Sequence, residues 1–95
     1  MESYNRSADR AIDIIELIAR SDEAMTLSEV SQALSIPKST AFDILCTLER
    51  RGFLQLADPR IRSYALGLKL FQASAHYMDH LEFHRVAHAV LSDLV

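Results

Sequence analysis

The stretch SIPKSTAFDILCTLERRGFL, Ser35–Leu54, decides the reading of the fold. Pro37 suits a first helical turn, where its missing N–H costs nothing. Ala41, Ile44, Leu45 and Leu48 recur at helical spacing and predict a buried stripe on a helix over Ser39–Arg50. Lys38, Ser39, Phe42 and Asp43 fall on the opposite side of its early turns. Arg50 and Arg51 put cations at the negative helix end, and Gly52 is a stop signal.

Upstream, TLSEVSQAL predicts a short helix ending near Leu34. Thr26 and Glu29 have capping-box spacing, and Met25 and Val30 can form a hydrophobic staple across it. Val30, Ala33 and Leu34 are expected to point inward, with Ser35 and Ile36 as the turn. Further upstream, Ala8, Ala11, Ile12, Ile15, Ile18 and Ala19 predict an amphipathic helix over Ser7–Arg20, with Ser7 as its N-cap.

Downstream of Gly52, Phe53–Leu56 and Ser63–Leu66 read as two short strands around the polar, turn-forming ADPRIR. Two strands alone are marginal, so this hairpin must lean on the helices. A helical pattern resumes at Leu68. Asp79 and Glu82 repeat the capping-box spacing and predict a break and a new helix near Asp79; one unbroken helix over Leu68–Val95 is the alternative. The last helix carries no stop signal, which predicts a piece of a longer protein.

The totals bound the function. Ninety-five residues, 49% of them hydrophobic, make one small domain with a real core. The single cysteine, Cys46, cannot form an internal disulfide, which fits a reducing compartment. The sequence shows neither a signal-peptide pattern nor an apolar run of about 20 residues, so a cytoplasmic protein without a membrane span is expected. A net charge of −3 argues against a non-specific polybasic binder. It leaves room for a local basic face. Between positions 37 and 62, Lys38, Arg50, Arg51, Arg60 and Arg62 outnumber Asp43, Glu49 and Asp58.

A capped helix, a tight turn, a second helix, a glycine stop and a hairpin with a basic loop form a winged helix-turn-helix pattern. The fold class is mainly α with a small β hairpin, followed by a linker helix. The B-DNA major groove admits one α-helix, and side chains near its N-terminal end can reach base edges. Ser39 and Thr40 can donate hydroxyls to phosphate or bases, or simply cap the helix. Lys38 can neutralise phosphate. Phe42 is either a thymine-methyl contact or a packing residue. Arg60 and Arg62 can meet phosphates or the minor groove, or serve as solubilising charges. The leading expectation is sequence-specific binding of double-stranded DNA. A winged-helix protein-interaction or dimerisation module is the alternative.

The pieces RAIDIIELIA, TLSEVSQALSIPKSTAFDILCTLERRGFL and SYALGLKL together resemble the N-terminal DNA-binding domain of the IclR-type bacterial transcriptional regulators, over roughly Ser7–Leu70. The resemblance implies a recognition helix over Ser39–Arg50 and a dimer reading a palindromic or near-palindromic operator. It implies a DNA-binding domain over 1–67, a linker helix over 68–79, and at 80–95 the start of a C-terminal effector domain that binds a small metabolite. Family members commonly carry an arginine where this chain has Asp43. An aspartate there reads a base as acceptor, orients Lys38 or another basic neighbour, or sits off the DNA. The apolar linker face, Leu70, Phe71, Tyr77 and Met78, points to a homodimer contact or to packing on its own domain.

His76, His80, His84 and His88 are spaced by four, and adjacent pairs on one helix could chelate zinc or nickel. No cysteine or matching carboxylate completes such a site, so surface or interface histidines are expected, with no metal and no cofactor. No Gly-rich phosphate loop or nucleophile–base spacing occurs, and no enzyme is expected.

Overall fold

The computed structural model describes residues 3–80, 87 and 89–92. In chain order these form α1 (Arg6–Arg20), β1 (Met25–Thr26), α2 (Leu27–Leu34), α3 (Lys38–Arg50), β2 (Leu54–Asp58), β3 (Ser63–Leu66) and α4 (Leu68–His80). The strands make one antiparallel sheet in the order β1-β3-β2.

α1 starts one residue earlier than expected, because Asn5 rather than Ser7 is the N-cap. The Asn5 side chain accepts from the Ala8 N–H at 2.9 Å. The buried side also differs in phase. Ile14 and Ile18 are fully or nearly buried and Leu17 packs beside them, whereas Ile12 is 56% exposed and Ala8 and Ala19 face outward. The run from Ile12 to Ile18 is so apolar that two stripes fit its periodicity. Packing against α3 and β3 selects the one through Ala11, Ile14 and Ile18.

α2 carries the full capping box. The Glu29 carboxylate accepts from the Thr26 N–H at 2.8 Å, and Thr26 Oγ1 accepts from the Glu29 N–H at 3.3 Å. Of the staple pair, Val30 is fully buried in the core and Met25 is half-buried against it. Ala33 is exposed instead of buried, and Ile36 takes its place inside. Ser35 makes that exchange possible. It adopts φ 54°, and the Ser35 and Ile36 N–H groups return to the Gln32 and Ser31 carbonyls. This is a Schellman closure with serine where glycine is usual. It turns the chain sharply enough to tuck Ile36 under the helix pair.

α3 ends in the same way. Gly52 has φ +84°, and the Gly52 and Phe53 N–H groups reach the Glu49 and Leu48 carbonyls at 3.0 and 2.9 Å. Phe53 is consumed by this closure, so β2 begins at Leu54, one residue later than the pattern predicts. Ala41 and Leu45 are fully buried, with Ile44 and Leu48 beside them, so the expected stripe of α3 is the one that packs.

The hairpin leans on the helices, as expected. It also gains a third strand that the pattern does not show: β1 pairs with β3 through Met25–Tyr64 and Thr26–Ser63. Tyr64 is thereby fully buried at the centre of the sheet. α4 is tied to the end of α3 through the main chain, since Gly67 N–H donates to the Phe53 carbonyl and Lys69 N–H to the Gly52 carbonyl. A Cβ at Gly67 would collide with the Gly52 carbonyl, so this junction requires glycine. The predicted break near Asp79 rests on Glu82 and the following residues, and lies outside the described residues.

Candidate nucleic-acid interface

α3 presents its N-terminal turn differently from the other capped helices. Its N-cap is Pro37, which makes no side-chain cap hydrogen bond, and its first turn holds no acidic residue. α1 begins with Asn5 and Asp9, and α2 with Thr26 and Glu29. Ser39 and Thr40 therefore do not cap α3. The Ala41 N–H returns to the Pro37 carbonyl, so the N–H groups ahead of it are those a helix cannot satisfy internally. Lys38 and Ser39 are exposed at this end and Thr40 is half-buried. An uncapped, acid-free helix start with a lysine is chemically suited to an anion.

Around the α3 axis, Ser39, Asp43 and Arg50 lie near the centre of the outward face, opposite Ala41, Leu45 and Leu48. Asp43 is exposed and carries no ion pair among the described residues, although its backbone carbonyl accepts from Thr47 Oγ1 at 2.9 Å. Phe42, Cys46 and Glu49 form one edge of that face. Phe42 is 41% exposed.

The wing brings only one of its two arginines to this edge. The Arg62 guanidinium lies 5.7 Å from the centroid of the Phe42 ring, and its Nη2 donates to the Tyr64 hydroxyl at 3.4 Å. The hydrogen bond to Tyr64, and then the nearby Cys46 and Glu49, push its pKa above the usual arginine value. Arg60 stays at the loop. Its backbone N–H donates to Asp58 Oδ1 at 3.0 Å, and its side chain, 90% exposed, loosely pairs with the same carboxylate at 3.8 Å. Asp58 and Tyr64 are the partners that sequence reasoning did not select. No local spacing points to Tyr64, because Arg62 precedes β3 and has a left-handed backbone, so strand alternation does not relate the two positions.

On α4, Leu70 and Met78 are half-buried, whereas Phe71 and Tyr77 are 70% and 61% exposed. All four fall within an arc of about 120°. An open groove of about 540 Å³ runs beside this arc, between Gln55 and Leu66 of the sheet and Leu68 and Phe71 of α4. Of the histidine series, His84, His88 and the His80 side chain lie outside the described residues. Among the described residues no cluster of His, Cys, Asp and Glu gathers as a metal site. No described helix is long and apolar enough to cross a membrane.

Two helices joined by a Schellman turn, with a three-stranded wing against the second, define a winged helix-turn-helix domain. Residues 7–57 match the family model of the IclR helix-turn-helix domain. The chain belongs to the IclR family and is a DNA-binding domain of that kind. It is 34% identical over 74 residues to the glycerol operon regulatory protein of Streptomyces coelicolor, covering 78% of this chain and 29% of that one. It is 24% identical over 90 residues to the transcriptional repressor IclR of Escherichia coli, covering 95% of this chain and 32% of that one. A crystal structure of an IclR transcriptional regulator from Alicyclobacillus acidocaldarius superposes with a TM-score of 0.81 at 31% identity, over 92% of this chain and 35% of that one. The chain thus spans about a third or less of the relatives it matches.

Proposed function

We propose that this chain is the sequence-specific, double-stranded-DNA-binding part of a dimeric transcriptional regulator. The observation that carries the reading is the bare N-terminus of α3, held outward while Ala41 and Leu45 lock the same helix into the core. α3 enters the major groove from that end, with Lys38, Ser39 and Thr40 at phosphates and base edges. Phe42 and Asp43 lie further along the groove. Arg60 and Arg62 supply the wing's positive charge.

Residues 1–67 form the DNA-binding unit and 68–79 the linker. Residues 80–95 begin an effector domain through which a small metabolite controls binding. The greater length of the relatives supports this division. The exposed Phe71 and Tyr77, with Leu70 and Met78, form the homodimer contact, because an apolar arc of this size is costly to leave in water.

The test is a fluorescence titration of the chain against duplex DNA from the promoter region next to its own gene, with sedimentation run in parallel. Saturable binding to that duplex, resistant to random competitor, is expected from a dimer. No binding to any duplex would leave the protein-interaction module as the better reading, and equal binding to every duplex would remove the sequence specificity.

A further inference from the structure

We propose that Arg62 is a positioning residue for DNA reading: its guanidinium, bridging the Phe42 ring on α3 and the Tyr64 hydroxyl on β3, fixes the angle at which the wing meets the recognition helix. The proposal rests on the DNA-binding reading above and assigns Arg62 work different from that of Arg60.

Three features of the fold converge on this clasp. The first is backbone conformation. Arg62 has φ 50°, in the left-handed region that long side chains rarely occupy. Residues held there cluster where the surrounding structure fixes a functional geometry. The second is the strand pairing. The β2–β3 register slips between Leu56 and Asp58, opposite Tyr64 and Ser63. Such irregularities re-aim neighbouring side chains. The third is the pair of anchors. Tyr64 is fully buried, so its hydroxyl is a fixed point set by the core. Phe42 rides on α3, whose stripe is equally fixed. A guanidinium between them ties the wing strand to the recognition helix.

The chemistry requires arginine. Its plane can stack over an aromatic ring while its edge donates a directed hydrogen bond; a lysine ammonium carries the charge but not the flat fork. Cys46 and Glu49 continue the edge of α3 on which Arg62 rests, and Glu49 adds an opposite charge. Arg60, in contrast, makes its hydrogen bond and ion pair among the described residues with Asp58 at the end of β2.

The experiment uses the 95-residue chain and a duplex enriched by the wild type from a random-sequence pool. Operator affinity is then measured for R62K, R62A, Y64F and R62K/Y64F across a salt series. The clasp predicts that R62K loses about as much affinity as R62A, roughly five-fold, with its salt slope at the wild-type value. Y64F, which keeps the buried ring, should lose roughly two-fold, and the double variant should bind no worse than R62K. Thermal melts of all four within a few degrees of wild type are expected, since the guanidinium sits on the surface. R62K binding at wild-type affinity would reduce Arg62 to a phosphate charge and overturn the clasp while leaving the DNA reading intact. A double variant that loses the product of the two single effects would overturn it too, because the side chains would then act separately. A wild-type chain that enriches no duplex would overturn the DNA reading and the clasp with it.

Discussion

α2 and α3 are separated by only a short turn, yet the chain caps the N-terminus of one and leaves that of the other open. At α2, Thr26 and Glu29 satisfy each other's backbone donors, and the helix start is chemically closed. At α3, Pro37 offers no side-chain acceptor, no acid follows, and Lys38 adds a positive charge. A side-chain cap contributes about 1 kcal/mol, so leaving one out of a 13-residue helix is a measurable sacrifice of stability. α3 tolerates it because Ala41 and Leu45 are fully buried and the Gly52 closure secures its other end. The first helix of the pair is built to hold the domain together. The second is held by its middle and its far end, which leaves its near end for an outside acceptor.

Substitutions at the two ends should therefore have opposite characters. The largest effect is expected from Ser39→Trp, which fills the open end with bulk. Operator binding should fall to the non-specific level, roughly 10³-fold or more, with helicity by circular dichroism unchanged. Retained affinity in the titration would remove the α3 tip from the interface.

Pro37→Asp asks the same question without bulk, by giving α3 the cap it lacks. The cap gains about 1 kcal/mol, offset by a similar loss from releasing the proline's backbone restraint, so stability should stay within about 1 kcal/mol of wild type. Operator affinity should fall about tenfold, because the new carboxylate occupies and repels where phosphate would sit. A Pro37→Asp chain that binds as tightly as wild type would mean that the bare terminus serves no anion.

Thr26→Ala probes the closed end. It should cost about 1 kcal/mol of stability, read as a lower urea midpoint, with less than about twofold change in operator affinity while the protein is folded. A larger change in affinity would show that α2 also touches the ligand. The smallest effect is expected from Arg60→Ala on the wing loop. It should weaken binding modestly across sequences and reduce the salt slope by roughly one; an unaltered slope would place Arg60 off the phosphates.

Much of this contrast was legible in the residues. The capping box is a local pattern in which the donors and acceptors lie three positions apart, so Thr26 and Glu29 announce themselves. The α3 stripe was legible because only one phase fits Ala41, Ile44, Leu45 and Leu48. α1 offered two phases, and the choice between Ile12 and Ile14 was made by what packs against it. Serine in the left-handed region at position 35 carries no sequence signature, so the inward placement of Ile36 was not legible either. The same holds for Arg62. Its charge was visible as a wing cation, but its contact with Phe42 joins residues from different elements, and no local spacing encodes that.

By itself, the sequence determined where α1, α2 and α3 start and stop to within about two residues, which side of α3 is apolar, and which residues crowd its amino end. Those are local matters, governed by hydrogen bonds and periodicities that span a turn or two of chain. Only the tertiary structure decided that β1 completes the sheet, that Tyr64 lies at its centre, and that Arg62 reaches back to Phe42. These pairings depend on how distant segments meet, and that meeting is set by burying one shared core rather than by any neighbour in the chain.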